Sequence, residues 1–522
     1  MSRGRLARLS ALAGASLGVA ALTAAVFLIR AGGTGPNNWP VLFELGSSDN
    51  GVLFQFARDV FAGRPLDWSF SPQVFVFPEI PISLVAYLIA GGGVQLYYVV
   101  VAMINNVLLF LAFFGVIRAI YKADAFGSRL VRALVTSTPL VLLPLIGTVT
   151  LFEFQLAPTY YYGMYLALIA WPLLYVARRR VAVILLALGL ALTIASNPLT
   201  LIFTLPALVC IGVVRRVRMG PRSIVRPFMT TLVVLAAAAI IRLILFSDLQ
   251  GTSPLNYIDP SQVPQRIETL TDNFALASQS GLSVALLLIG LVATLGLFGL
   301  ALRRVIALLR HRAEPDARGW VLLYYALVPF TGLITSIVLL ILNYLYLWPI
   351  LVAPLLFALL FIPAPRLRLT GFAAAGAVAV ALIASFIVVA PSGPGRYIAY
   401  RDPETRCLDS GLPAGMDVGY AGYFDARRLE LTSTRPLLLI QIDYRGRAPY
   451  DWLTNRDYST HSKGRFFFVN SASGQLTTKS RWISKLVGSP DKTVDCSDGS
   501  RILIYTNPAK LAKIAVRYHQ AR

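Results

Sequence analysis

About eleven stretches of this chain are apolar for roughly the length a bilayer core demands, and that repetition leaves few folds open. A spanning helix needs about 20 predominantly apolar residues. Runs of this kind fall at 10–29, 94–117, 132–151, 159–177, 181–197, 198–214, 224–246, 281–302, 319–341, 346–362 and 370–390, with only Asn197-Pro198 between the fifth and sixth. Charged residues make up 14% of the 522-residue chain, against ~25% in soluble domains. The expected architecture is a polytopic α-helical membrane protein of about 11 transmembrane helices over residues 1–390. A small C-terminal α/β domain at 391–522 follows it.

Orientation is read from the cations, which accumulate in cytoplasmic loops. With the N-terminus inside, the inner segments hold Arg3, Arg5 and Arg8, the groups around 118–132, 178–180, 215–226 and 303–318, and Arg366 and Arg368. The outer side of residues 1–390 keeps only Arg30, Arg58, Arg64, Arg242 and Arg266. An odd number of spans then puts residues 391–522 outside. The protein is expected in the inner (plasma) membrane, N-terminus cytoplasmic and C-terminal domain extracytoplasmic. Residues 1–30 have the basic start of a signal peptide, but the apolar run ends at Arg30 without a small-x-small site, so a retained span is expected.

A formal charge of +22 suggests nucleic acid only until its distribution is considered. The cations of the membrane part sit in short inner loops, where membrane lipid and insertion bias explain them, so no nucleic-acid partner is expected. The tail is itself basic, which suits a solvated face or a polyanionic envelope surface. Cys210 falls inside a span, where packing is expected. Cys407 and Cys496 fall in the tail, where oxidation is permitted. With no His or further Cys at ligand spacing, a disulfide is favoured over a metal site.

Two outer segments interrupt the membrane domain, at 31–93 and 247–280. In the first, a short surface helix is expected over 46–63, capped by Ser47 or Ser48, with Asp49 in its first turn and Gly63-Arg64-Pro65 ending it. Val52, Leu53, Phe56 and Val60 share one face, suited to resting on the bilayer or on other spans. The aromatic, proline-broken stretch 68–81 reads as irregular. A second short helix is expected over 82–90, stopped by Gly91-Gly92-Gly93. The tail shows strand-like runs at 437–442, 466–469 and 502–505.

The acids of the membrane part fall mostly outside: Glu44, Asp49, Asp59, Asp67, Glu79, Glu153, Asp248, Asp259, Glu268 and Asp272, against Asp124, Glu314 and Asp316 inside. Acids contribute little to topology, so the skew points to work on the outer face. No Walker loop, dinucleotide fingerprint or zinc signature is present, which argues against a nucleotide-driven pump or an internal nucleotide-sugar enzyme.

The order of parts resembles the GT-C-fold glycosyltransferases, membrane enzymes that use polyprenyl-linked sugars outside the cytoplasm. Ser48-Asp49-Asn50-Gly51-Val52-Leu53 stands where that family carries its acidic motif, in the first outer loop between two surface helices. Phe77-Pro78-Glu79-Ile80-Pro81 resembles the family's Pro-containing stretch. Asn343-Tyr344-Leu345-Tyr346-Leu347-Trp348-Pro349 is similar to an Arg-Tyr-x-x-Pro-like turn, with Asn in place of Arg. The double-acid signature is here one Asp followed by Asn. The resemblance implies a GT-C-like fold and an inverting transfer from a polyprenyl-phosphate-sugar donor to a glycan, lipid or protein acceptor.

On that reading Asp49 is the general base that takes the acceptor's hydroxyl proton; otherwise it only caps a helix. Arg242, set in the apolar run 240–245, is the main candidate for the donor phosphate, since a cation in a span warrants a functional hypothesis. Arg58 and Arg266 are further candidates, and snorkelling to headgroups is the plain alternative for Arg242. Glu79, Glu153 and Tyr161 are candidates for acceptor or sugar binding. The tyrosines at 160–162 and 165, and Trp39 and Trp68, more often mark a membrane interface. No cofactor is expected, a divalent cation at Asp49, Glu79 and Glu153 being the alternative. The competing function is a lipid or glycan transporter or flippase, and a non-catalytic envelope scaffold is a third reading.

Overall fold

In the computed structural model the described residues are 3–32, 48–71, 73–146, 162–177, 179–249, 264, 267–268, 271–272, 281–312, 316–338, 393–442, 453–460, 466–470, 480–510 and 512–513. The expected spans at 346–362 and 370–390 lie outside them, as do Asn343 to Pro349, Trp39, Glu153, Tyr161 and Arg266.

The membrane part is helical. It runs α1 (Arg3–Gly32), α2 (Ser48–Phe61), strand β1 (Trp68–Ser69), α3 (Glu79–Ile89), α4 (Val94–Ile120), α5 (Phe126–Ile146), α6 (Tyr162–Ala170) and α7 (Leu173–Val176). After these come α8 (Arg180–Ser196), α9 (Thr200–Met219), α10 (Arg222–Leu245), α11 (Gly281–Leu309) and α12 (Ala317–Val338). Six of these helices (α1, α4, α5, α9, α10 and α11) are long and apolar enough to cross a membrane.

The expected spans at 159–177 and 181–197 form shorter apolar helices, over Tyr162–Val176 and Arg180–Ser196. Pro172 interrupts the first, because it has no N–H to continue the ladder, and it divides α6 from α7. Helix α8 ends at Ser196, ahead of Asn197-Pro198.

Packing sorts the helices by how much lipid they face. Ala15, Val19, Val26 and Phe27 bury one side of α1, which packs on α4 and α5. Helix α6 packs against α4, α8 and α9, and its Tyr162, Met164, Tyr165 and Leu168 are buried. Helix α10 instead buries only Val234 and Ala238 and leaves Phe228, Val233, Leu243 and Ile244 exposed. That surface suits hydrocarbon and would be untenable in water. Cys210, expected as packing, is on the exposed side of α9.

The tail opens with α13 (Gly393–Ile398), which sits on α1: the Tyr397 ring meets Phe27 edge-on at 5.4 Å, and its hydroxyl donates to the Gln95 carbonyl at 3.1 Å. It continues with α14 (Pro403–Gly411), β2 (Val418–Gly422), α15 (Tyr423–Thr432), β3 (Leu438–Ile442), β4 (Thr454–Asn455), a 3₁₀ turn (Arg456–Thr460), β5 (Phe466–Asn470), α16 (Ser480–Val487), β6 (Lys492–Asp495) and β7 (Arg501–Tyr505).

Five strands form one sheet in the order β3-β2-β5-β7-β6, with β2 parallel to β3 and β5 and the other pairs antiparallel. Alternate strand residues face opposite ways. Leu439, Phe467, Ile502 and Ile504 face Leu408, Ala426 and Leu429 of α14 and α15, while Ile440, Phe468, Leu503 and Tyr505 face Ile483 and Val487 of α16. A small α/β domain with helices on both faces results. Cys407 and Cys496 are joined by a disulfide, tying α14 to the loop after β6 on the first of those faces.

Candidate functional site

Helix α2 is not a helix lying loosely on a surface. Val52, Leu53, Phe54, Gln55, Ala57 and Asp59 are all buried, because α3 and α4 cover one side and α15 of the tail covers the other. Phe54 meets the rings of Tyr97 and Tyr87 at 5.0 and 5.3 Å. The Ser83 hydroxyl of α3 donates to the Leu53 carbonyl at 2.7 Å. At Gly51 a Cβ would come within 2.6 Å of Leu431 Cδ1, so α2 and α15 pack closely at that position.

Where α2 meets the tail, charge is buried on both sides. The Glu430 carboxylate accepts from Arg58 Nη2 at 2.5 Å, from Gln55 Nε2 at 2.8 Å and from Arg427 Nη1 at 2.8 Å. Asp59, fully buried, accepts from the Tyr458 hydroxyl at 2.8 Å, from Asn455 Nδ2 at 3.0 Å and from Arg64 Nη1 at 3.3 Å. Burial works against the Arg58 charge, but Glu430 and Tyr458 more than offset it and hold the guanidinium above its ordinary pKa. Beside this cluster β1 pairs antiparallel with β4, Trp68 opposite Asn455 and Ser69 opposite Thr454. The Arg456 N–H donates to the Asp67 carbonyl at 2.7 Å. Buried charges persist only when paired and hydrogen-bonded, and this set meets that condition.

Two expectations are corrected here. Arg58, expected at the donor phosphate, is committed to Glu430, so it is no open anion site. Trp68, expected near the membrane interface, is buried between Phe56, Phe70 and Tyr458.

Asp49 occupies the first turn of α2, next to the buried Asn50; its side chain lies outside the described ones, as do Glu153, Tyr161 and Arg266 entirely. Tyr162 and Tyr165 are buried packing, the Tyr162 hydroxyl donating to the Asn105 carbonyl.

Arg242 is half-buried at the end of α10, and its Nη1 donates to the Ala195 carbonyl at 2.7 Å. That carbonyl is among the last of α8, the groups a helix leaves without internal partners. The same turn takes the first outer segment: the N–H groups of Val74 and Phe77 donate to the Ser196 carbonyl and hydroxyl, each at 2.9 Å. Arg242 and the 74–77 segment therefore meet at residues 195–196.

Glu79 begins α3 and is buried. Its Oε1 accepts from the Gly163 N–H at 2.9 Å, and among the described residues Oε2 has no hydrogen-bond partner. Burial pushes its pKa up to about 7, working against the help of the Gly163 N–H. A Cβ on residue 163 would come 2.4 Å from Pro78 Cδ and 2.9 Å from Glu79 Oε1, so glycine is required for this contact. Glu79 as it stands is a protonatable group inside the protein rather than a surface acid ready for a sugar. Among the described residues no three His, Cys, Asp or Glu side chains gather as metal ligands would.

Sequence reasoning missed Glu430, Arg427, Tyr458 and Asn455. The one usable signal was the polar stripe Gln55, Arg58, Asp59 on a helix whose other faces are apolar, which requires a polar partner if the helix is buried all round.

No protein-family model matches this chain, and no curated protein and no solved structure is significantly similar to it.

Two predictions follow from this geometry. Glu430→Ala leaves Arg58 and Arg427 buried without their carboxylate and should cost ~3–5 kcal/mol. Denaturant unfolding of the purified full chain checks this, and a change within ~0.5 kcal/mol would show that the cluster contributes little. Glu79 holds its proton more tightly folded than at its ordinary value of 4.5, so stability falls as pH rises from about 4.5 to about 7. Glu79→Gln keeps the bond to Gly163 and removes that loss. The variant should match wild type near pH 4 and exceed it by up to ~3 kcal/mol at pH 8; a pH-independent difference in melting would contradict the assignment.

Proposed function

We propose that this protein is a membrane glycosyltransferase of the GT-C type, moving a sugar from a polyprenyl-phosphate donor to an extracytoplasmic glycan, lipid or protein, with inversion. Asp49 is the base that takes the acceptor's proton as its oxygen attacks the anomeric carbon. The departing lipid phosphate develops charge that a cation must stabilise. With Arg58 committed elsewhere, Arg242 is the better candidate of the two. The donor enters sideways between spans, its phosphate toward residue 242 and its sugar toward residue 49. The N-terminus is cytoplasmic and the tail extracytoplasmic in this scheme, and the spans at 346–362 and 370–390 complete the expected set of about eleven.

The observation that carries the reading is the fixed position of the Asp49 turn. It begins a helix in the segment directly after α1, and that helix is held between α3, with Tyr97 of α4, on one side and the α/β domain on the other. A base must be held within hydrogen-bond reach of its proton, and a helix gripped on two sides supplies the rigidity that a surface loop lacks.

Purified protein incubated with radiolabelled polyprenyl-phospho-sugars and envelope extract should transfer label. Asp49→Asn should lower the rate at least ~100-fold while its melting temperature stays at the wild-type value. Full transfer by this variant would falsify the role of Asp49.

A further inference from the structure

A groove of about 520 Å³ opens between α9, α10 and α12, with α7 at its base. Its walls are apolar, among them Leu205, Leu208, Leu235 and Val321. Its inner polar atoms are already engaged: the Tyr175 hydroxyl pairs with Thr231 Oγ1 at 2.6 Å and accepts from Trp171 Nε1 at 3.1 Å. At the mouth Val209, Phe228 and Leu232 are exposed, so the opening faces the medium that covers the apolar outside of the bundle.

One end is cationic. Arg215 and Arg216, near the C-terminal end of α9, line the groove. The Arg215 guanidinium lies over the Trp320 ring, 5.7 Å from its centroid. Its Nε is shielded from solvent with no hydrogen-bond partner among the described residues. Among those residues no carboxylate forms an ion pair with either arginine, whereas Arg304 a short way off has Asp316.

We propose that this groove binds one anionic glycerophospholipid of the surrounding bilayer, phosphate against Arg215 and Arg216 and an acyl chain along the apolar slot. Guanidinium groups lining one groove suit phosphate oxygens, which they engage through paired N–H donors. A slot that opens sideways among exposed apolar residues is reached from the bilayer rather than from water. Basic pockets between spanning helices are where lipid headgroups are held. This site is independent of the glycosyltransferase reading, since it lies at the opposite end of α9 from the turn where Arg242 and the first outer segment meet.

The test uses the full-length protein, exchanged into mixed micelles of phosphatidylglycerol and phosphatidylcholine with matched acyl chains, and native mass spectrometry of the lipid retained. Wild type should keep one phosphatidylglycerol at least fivefold over phosphatidylcholine. Arg215→Gln with Arg216→Gln should reduce that preference about fivefold or more, one surface-adjacent arginine being worth about that factor. Leu208→Trp, which fills the slot, should lower retention of the anionic lipid with both arginines present. If that variant melts below wild type, the arginine pair alone decides. Arg222→Gln with Arg226→Gln, outside the groove, should leave the preference unchanged. Equal retention of both lipids by wild type, an intact preference in the Arg215/Arg216 variant, or an equal loss in the Arg222/Arg226 variant would overturn the proposal.

Discussion

The carboxylate of Glu430 lies wholly out of water, and its three donors come from two parts of the chain. Arg427 belongs to its own helix, while Gln55 and Arg58 come from the helix after the first span. A carboxylate in that position is stable only while all of its partners remain. Helix α2 therefore cannot shift without exposing an uncompensated charge in the tail, and the tail cannot lift without stranding Arg58. Asp59 repeats the arrangement one residue on, through Tyr458 and Asn455. The short β1–β4 pair and the glycine contact at residue 51 continue the same seam. The first outer segment and the C-terminal domain behave as one body, and the Asp49 turn belongs to it.

That body rests on one face of the helix bundle. Tyr397 sits on Phe27 near the end of α1, the Phe70 N–H donates to the Leu249 carbonyl beyond α10, and Arg456 reaches the Asp248 carbonyl. The basic loops gather elsewhere. Arg132 and Arg318 lie over the Tyr121 ring, Arg215 lies over Trp320, and Arg304 pairs with Asp316. The arginines of these loops are engaged with aromatic rings and with Asp316 rather than with that body. The apolar exterior of α10 is the surface that needs lipid.

The six helices long and apolar enough to cross a membrane were legible because their apolar runs are long and bounded by charges or by proline. The boundaries slipped where proline lies inside a run, as at Pro172. The strands at 438–442, 466–470 and 501–505 were readable from β-branched and aromatic content, whereas β2 holds two glycines and β6 is largely exposed, so neither stands out. The cysteines of the tail were too few to pair otherwise. The seam was not legible, because Gln55 and Arg58 find partners some 370 to 400 positions away, beyond any local period. Arg58 read as an open cation for that reason. Glu79 read as a surface acid because glutamate is rarely fully buried, and only the backbone of Gly163 explains how it is tolerated.

Everything proposed for residues 49 and 242 requires that the first outer segment and the tail share the outer side of the membrane, opposite the basic loops. Single cysteines at exposed positions, Ala62→Cys, Ser489→Cys and Ala123→Cys, each placed in a Cys210→Ala background, can be probed in intact cells with a membrane-impermeant maleimide. The account predicts that positions 62 and 489 react from outside and that position 123 reacts only after lysis. Labelling of position 123 in intact cells, or opposite behaviour of positions 62 and 489, would contradict it.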